Sequence, residues 1–289
     1  METGRIPEPM PPDRFWKENC LMFQFGMPTL LETKTIESCA SLCGELGLSF
    51  IELNMNMPQY QTEKTDVGRL SEIAGEYGLY YTFHLDENFN PADMNASVAG
   101  AYVETLLRTV DLAKELRVPI INMHLNRGVY FTMPTERIFL FDEYADEYIT
   151  RLTAFRDVCE QEAGDAGIKI CIENTEGYDR PFLIKSLEVL LESAVFGLTF
   201  DIGHNAGASV DDEAIIMNYP GRLKHMHVHD AIGAKHHLGL GDGNLDIPYY
   251  LRIAKAADCR VVLETKTPEA LRQSVRWLRD RKYTERFRE

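Results

Sequence analysis

The sequence predicts an α/β fold, a single (β/α)8 TIM barrel with a short N-terminal extension. Short β-rich runs alternate with helical stretches along the 289 residues, which is typical of βα units around a parallel sheet. Several of these runs are almost continuously apolar, as strands covered on both faces require. One barrel commonly reaches this chain length. We therefore expect an arm over residues 1–19 and one barrel domain over residues 20–289.

Eight strands are predicted, each followed by a helical stretch. In chain order they are Leu21–Gly26, Ser49–Leu53, Tyr80–His84, Pro119–His124, Lys169–Glu173, Gly197–Asp201, Leu223–His229 and Arg260–Glu264. Four glycines precede a predicted strand, where a left-handed residue commonly ends a helix: Gly47, Gly78, Gly167 and Gly197.

Two long stretches are predicted to be helical, and the helical pattern is clearer in the first than in the second. Between about Ala96 and Arg117, apolar residues recur at helical spacing, which predicts one long helix. The stretch from about Thr135 to Glu162 is also predicted to be helical, either broken or extended.

Composition indicates which kinds of partner and which cellular compartment to expect. The net charge is −15, from 45 acidic and 30 basic residues, and this negative field disfavours nucleic acid as a partner. The six cysteines form no C-x-x-C pair, as expected of reduced thiols. Residues 1–19 are polar and proline-rich, and no apolar run has membrane-spanning length. We expect a cytoplasmic protein without a membrane partner.

Ionisable residues stand at the predicted carboxyl ends of six strands. Because all strands of such a barrel run in one direction, these residues should converge at one mouth, where active sites of this fold lie. Side-chain alternation also turns Asn122, Cys171 and Thr199 inward, and these are small or polar rather than bulky. The six strand-end residues are His84, His124, Glu173, Asp201, His227 and Glu264.

Four of these residues offer the donors of a divalent cation site. Glu173, Asp201, His227 and Glu264 combine oxygen and nitrogen ligands suited to manganese, zinc, magnesium or cobalt. Without a cation, three neighbouring carboxylates should repel one another, and their pKa values should rise. Each residue alone would be an ordinary polar strand end. The set predicts a centre with one divalent metal ion or more.

The chain resembles the xylose isomerase-like TIM-barrel superfamily over roughly residues 20–280. This superfamily holds sugar and sugar-phosphate isomerases and epimerases, together with AP endonuclease IV enzymes. The resemblance rests on Phe50-Ile51-Glu52-Leu53, Ile172-Glu173-Asn174, Asp201-Ile202-Gly203-His204, His227-Val228-His229-Asp230, Leu240-Gly241-Asp242-Gly243 and Leu263-Glu264-Thr265.

The resemblance implies roles for the strand-end residues. Glu173, Asp201, His227 and Glu264 would bind the catalytic metal, and His204 would contact substrate or a second metal. In the epimerase branch the two glutamates, Glu173 and Glu264, also act as a paired acid and base. Barrel epimerases are often oligomers, which implies a homo-oligomer here.

The nuclease branch of this superfamily fits less well. Its third zinc site uses an Asp-x-His after strand seven, but this sequence has Lys235 at the aspartate position, and a lysine cannot ligate a cation. His84 and His124 do match histidines that complete the nuclease cluster. They are equally compatible with substrate hydrogen bonding or with support of the site.

The sequence therefore predicts a metal-dependent isomerase or epimerase of carbohydrate metabolism. Its substrate would be a sugar, a sugar phosphate or a related α-hydroxycarbonyl compound. The metal would stabilise an enediolate while Glu173 or Glu264 transfers the proton. Three alternatives stay open: an endonuclease IV-like zinc phosphodiesterase on damaged DNA, an inosose-type polyol dehydratase, and a non-catalytic sugar-binding barrel.

Further residues are candidates for substrate contact. Lys266 would stabilise negative charge or bind a phosphate, or it is a solvated rim lysine. Glu52 would reach a substrate hydroxyl or form an internal ion pair. The stretch from Gly239 to Gly243 would either wrap a phosphate or form a tight turn. The full substrate-binding set is His84, His124, His204, His229, Lys266 and Glu52.

Overall fold

A closed barrel of eight parallel strands forms the centre of the molecule. The structure is a computed structural model that describes residues 23–175, 177–208 and 211–283. The predicted arm over residues 1–19 lies outside the described residues. The strands are β1 (Gln24–Pro28), β2 (Phe50–Asn54), β3 (Tyr80–His84), β4 (Ile120–His124), β5 (Lys169–Glu173), β6 (Phe196–Asp201), β7 (Leu223–Val228) and β8 (Arg260–Leu263). Pairing of β8 with β1 closes the sheet, so the predicted α/β class and TIM barrel are confirmed.

Helices connect successive strands on the outside of the barrel. They are α1 (Ile36–Leu46), α2 (Val67–Tyr77), α3 (Ala96–Leu116), α4 (Ala145–Ala163), α5 (Pro181–Leu191), α6 (Ile202–Gly207), α7 (Ile247–Ala256) and α8 (Pro268–Asp280). Shorter helical segments occur at Pro58–Tyr60, Leu140–Glu143, Gly164–Ala166 and Asp212–Ile216. No helix among the described residues is long and apolar enough to cross a lipid bilayer.

Two β-hairpins extend the mouth of the barrel. The first pairs Tyr130–Thr132 with Arg137–Phe139. It interrupts the helix predicted from about Thr135, so that α4 begins only at Ala145. The second hairpin pairs Asp230–Ile232 with Lys235–Leu238 directly after β7. Because of it, β7 ends at Val228 and not at His229, as the sequence had suggested.

Three of the four predicted helix-ending glycines are confirmed. Gly47, Gly78 and Gly167 have φ angles of 69°, 65° and 72°, which are left-handed. The prediction for Gly197 is wrong because this residue lies inside β6. A Cβ atom there would lie 3.0 Å from the Arg222 carbonyl oxygen and 3.2 Å from Cys171 Sγ, so close approach explains this glycine.

The two faces of the strands carry different side chains. Outward-facing Ile170, Ile172 and Leu263 are fully buried and belong to the apolar core between the strands and the helices. Inward-facing Asn122 and Thr199 hydrogen-bond each other at 2.6 Å inside the barrel. Polar groups therefore occupy the barrel interior beneath the mouth.

Candidate metal centre

Three of the four predicted metal ligands are carboxylates, and they converge on a ring nitrogen of the fourth, His227. His227 Nδ1 lies 3.3 Å from Glu264 Oε2, 3.4 Å from Glu173 Oε2 and 3.8 Å from Asp201 Oδ2. The residues come from β5, β6, β7 and the end of β8, so the barrel closure brings together positions far apart in sequence. The predicted convergence at the mouth is present.

The donor atoms of this cluster fit a cation. His227 Nδ1, Glu264 Oε2, His124 Nε2 and His204 Nδ1 are buried and have no hydrogen-bond partner among the described residues. Buried polar atoms are normally paired, because leaving them unpaired costs free energy. A divalent cation would use these lone pairs, and the mixture of carboxylate and imidazole matches manganese, zinc or cobalt. These residues therefore fit a metal ion.

The charges of the metal-free cluster balance without a cation. Burial opposes ionisation of Glu173 and Glu264, but the neighbouring basic groups, His227 foremost, together outweigh it and lower both pKa values well below the usual range. Burial also lowers the pKa of an imidazole, yet Glu173 beside His84 and Asp201 beside His204 raise both values to about 9. Protons and a cation therefore compete for the same atoms, and cation binding releases protons.

This balance corrects the prediction that the carboxylate pKa values rise without a cation. The prediction considered the repulsion among the three carboxylates and did not include their attraction to the imidazoles. All eight histidines of the chain lie at or just below the mouth, as His84, His124, His204, His225, His227, His229, His236 and His237.

The histidines that end β3 and β4 lie on one side of Glu173. His84 Nε2 and His124 Nε2 are 3.5 Å and 3.4 Å from Glu173 Oε2. The two rings meet edge to face with centroids 4.9 Å apart. Asn122 also donates a hydrogen bond to Glu173 Oε2. The three ionisable groups are close enough to hold a second ion.

The Asp-Ile-Gly-His motif places Asp201 and His204 at the start of α6. Asp201 caps this helix, because its Oδ1 accepts from the His204 backbone N–H at 2.7 Å. Asn174 holds the same strand end by bonding both backbone groups of Asp201, at 2.8 and 3.0 Å. A Cβ on Gly203 would lie only 1.8 Å from His229 Cε1, so only glycine leaves room for that ring.

His229 is completely buried and positions Asp201. Its Nε2 lies 3.1 Å from each Asp201 carboxylate oxygen, and its Nδ1 accepts from the His237 backbone N–H at 2.8 Å. Both ring nitrogens are thus used within the protein. This arrangement favours a supporting role for His229 over the predicted contact with substrate.

Asp230 organises the glycine-rich loop after β7. Its carboxylate accepts from the backbone N–H groups of Ala231 at 2.9 Å, Gly241 at 2.9 Å and Leu245 at 3.1 Å. A Cβ on Gly243 would lie 2.2 Å from Asp230 Oδ1. The loop is therefore a turn fixed by Asp230, and three of the amides proposed for phosphate, those of Leu240, Gly241 and Asp242, already have an acceptor.

The second hairpin contributes histidines that the sequence reasoning missed. His236 and His237 lie close enough to His204 for ring nitrogens of all three to hold an ion. His237 has a φ of 59°, and its Nδ1 lies 3.7 Å from Glu264 Oε2. The two adjacent histidines in the sequence could have identified these site residues. The comparison with the nuclease motif considered only Lys235.

Lys266 and Glu52 lie above and below the cluster. Lys266 is more than half exposed, and its Nζ donates to Glu264 Oε1 at 2.8 Å. Glu52 is 2 % exposed and faces His225 and His227. Glu52 therefore makes internal contacts with both imidazoles and also borders the cavity, so both roles considered for it stay predictions.

A cavity of about 440 Å³ opens onto the cluster from the side of β1, β2 and β8. Its wall contains Glu52, His84, Glu264 and Lys266 from the site. The remaining lining combines apolar and polar side chains, among them Leu30, Met57, Asn54, Asn56 and Glu87. This volume suits a small-molecule ligand better than a duplex.

Comparison with known proteins decides the family. Residues 40–281 match the model of the xylose isomerase-like TIM barrel family. The chain belongs to this family. The superfamily resemblance of the sequence motifs is thereby confirmed, because the match includes the motifs on β2, β5, β6, β7 and β8.

The chain is similar in sequence to an archaeal protein and similar in fold to solved structures. The uncharacterized protein MJ1311 of Methanocaldococcus jannaschii is 29% identical over 237 residues, covering 78% of this chain and 77% of that protein. A D-tagatose 3-epimerase-like protein superimposes with a TM-score of 0.74 at 24% identity, covering 89% of this chain and 96% of that one. The 3-keto-D-glucoside 4-epimerase of E. coli gives 0.71 at 16% identity, covering 89% and 99%.

Proposed function

We propose that the protein is a divalent-metal-dependent isomerase or epimerase of a sugar or a related α-hydroxycarbonyl compound. The observation that carries the proposal is the convergence of three buried carboxylates on His227 Nδ1 beside an open cavity. Sugar epimerases with the same barrel support it.

The residues of the site divide into ligands and proton carriers. Glu173, Asp201, His227 and Glu264 would hold the cation, which when bound polarises a substrate carbonyl and its neighbouring hydroxyl. Glu264 borders the cavity and is 8 % exposed, whereas Glu173 is 2 % exposed and lies deeper. Glu264 is therefore the group that first meets a substrate C–H bond.

The environment of Glu264 suits a base. Its Oε1 pairs with Lys266, which keeps the carboxylate ionised, and its Oε2 has no hydrogen-bond partner among the described residues. In our proposal Glu264 removes the proton next to the carbonyl. Delivery of a proton by Glu173 to the opposite face gives an epimer, and return by Glu264 to the neighbouring carbon gives an isomer.

Hydrogen exchange at carbon tests this proposal. Ketoses, polyol ketones and their phosphates are incubated in heavy water with manganese-loaded protein, and proton NMR follows the α-proton signal. We expect chelator-sensitive loss of this signal for one substrate class, and a much slower loss with Glu264→Gln. Glu76→Gln is the matched control, because this exposed glutamate lies on α2 and does not line the cavity. Absence of exchange across the panel with wild-type protein would contradict the proposal.

A second candidate function is a metal phosphodiesterase. The specific observation in its favour is that further groups could hold ions, among them one of His84, His124 and Glu173 and one of His204, His236 and His237. This candidate requires several ions per chain and hydrolysis of a phosphodiester such as bis(p-nitrophenyl) phosphate. Turnover of that compound, without α-proton exchange, would favour it over the epimerase.

A further inference from the structure

A buried carboxylate lies directly below the candidate metal centre. Glu52 Oε1 is 2.9 Å from His227 Nε2, and Glu52 Oε2 is 2.8 Å from His225 Nε2. Thr82 Oγ1 donates a third contact to Oε2 at 3.0 Å. Each carboxylate oxygen of Glu52 therefore faces one imidazole of the same strand.

This contact crosses the barrel interior. Glu52 lies on β2, whose neighbours are β1 and β3, whereas both histidines lie on β7, between β6 and β8. Neither histidine is measurably exposed, and Glu52 is 2 % exposed. A buried carboxylate is costly unless it is paired and hydrogen-bonded, so Glu52 depends on these two imidazoles.

The two ring nitrogens of His227 face different groups. Nδ1 faces the carboxylates of Glu173, Asp201 and Glu264. Among the carboxylates of the described residues, that of Glu52 is the one that Nε2 faces, within hydrogen-bonding distance although off the ideal axis. A neutral imidazole carries one proton, on one nitrogen. A proton kept between Nε2 and Glu52 leaves the Nδ1 lone pair free to ligate a cation.

We propose that Glu52 is a positioning residue of the metal centre: it holds the proton on His227 Nε2 and so presents Nδ1 to the cation. Histidines that bind metals commonly donate their second N–H to a carboxylate, which fixes the ring and raises its basicity. The inference rests on the proposed metal-dependent function and adds a residue that would not touch the metal.

His225 keeps the Glu52 carboxylate in place. Its Nε2 donates to Glu52, while its Nδ1 is buried without a hydrogen-bond partner among the described residues. One proton on Nε2 satisfies this arrangement, so His225 is a neutral donor. Glu52 is thus held from His225 and Thr82 on one oxygen and directs the other oxygen at His227.

Metal affinity of two variants tests the inference. Glu52→Gln keeps the side-chain shape but removes the charge, and we expect it to weaken binding of Mn²⁺ and Zn²⁺ by about 10- to 100-fold in competition with a chromophoric chelator. Glu76→Gln is the matched control, since it removes one carboxylate charge from an exposed position on α2, away from the barrel mouth. We expect its metal affinity to equal that of the wild type.

The position of the proton is measured separately on the metal-free protein. Nitrogen-15 NMR of the histidine rings, recorded at a pH high enough for His227 to have lost its second proton, should show His227 as the Nε2–H form in the wild type, and as a mixture or the Nδ1–H form in Glu52→Gln. This readout needs neither bound metal nor a variant that folds well, because the wild-type spectrum alone tests the assignment.

The outcomes separate the inference from the proposed function. Wild-type protein that binds no divalent cation would overturn the proposed function, whereas the NMR result would still decide where the proton lies. Equal metal affinity and an unchanged His227 spectrum in Glu52→Gln would show that Glu52 only fills space. Loss of one bound ion with unchanged affinity for the others would make Glu52 a ligand and also overturn the inference.

Discussion

The outward and inward faces of the barrel strands alternate along the same residues but differ in chemistry. At the end of β8, Leu263 points outward into the apolar core, and the next residue, Glu264, points inward to the candidate metal centre. Both are buried, at 0 % and 8 % exposure. The outward face stabilises the fold through apolar burial, whereas the inward face places charges that need compensation. Substitution of an outward-facing residue should therefore change stability, whereas substitution of the adjacent inward-facing residue should change function.

Replacing Glu264 by glutamine should have the largest effect. If this carboxylate abstracts the substrate proton, its loss should lower the exchange rate by about 10²- to 10⁴-fold. The free energy of unfolding of the metal-free protein, measured in urea, should change little, since the fold depends on the outward face. A large loss of stability with unchanged exchange would remove the distinction between the faces.

Replacing Leu263 by alanine should give the opposite pattern. The deleted methyl groups leave a cavity in the core, and we expect the free energy of unfolding to fall by about 2–5 kcal/mol. Bound metal per folded chain should stay at the wild-type value. Urea unfolding with metal analysis of the same sample checks both statements, and a variant that lost its metal before unfolding would argue against them.

Gly203→Ala tests a position that should affect both the packing of the fold and the metal centre. The added Cβ would lie 1.8 Å from His229 Cε1, and His229 holds Asp201. We expect overpacking to cost about 1–3 kcal/mol of unfolding free energy, together with weaker metal binding as Asp201 moves. Unchanged metal affinity would show that Asp201 does not depend on His229.

Gly75→Ala is the matched change at an open position and should have the smallest effect. No atom lies within 4 Å of a Cβ built on Gly75 in α2. Because glycine weakens a helix interior, alanine should raise the free energy of unfolding by about 0.5–1 kcal/mol. Metal binding and exchange should equal those of the wild type, and any change in either would point to an indirect route from the outer helices to the mouth.

The sequence predicted those parts of the molecule that depend on local pattern. Apolar runs gave the strands, and alternation within each run gave the inward positions of Glu173, Asp201 and His227, because the side-chain period of a strand is fixed at two. Strand ends then coincided with the mouth because every strand runs in the same direction.

Other features depend on tertiary contacts and could not be read from a local pattern. The hairpin that carries His236 and His237 has no distinctive periodicity, and the contacts of His237 with His229 and Glu264 join residues that are distant in the sequence. Gly197 was misassigned because its neighbours, Arg222 and Cys171, lie on other parts of the chain. The pKa values of the carboxylates depend on how many imidazoles lie at the mouth. This number is known only from the folded structure.

The most direct test of the metal centre is an anomalous difference map from crystals of the protein soaked in MnCl₂ or ZnCl₂. We predict a peak at about 2.0–2.3 Å from His227 Nδ1 and from carboxylate oxygens of Glu173, Asp201 and Glu264. Saturated crystals with no peak bonded to His227 Nδ1 would contradict a metal-dependent function at this mouth.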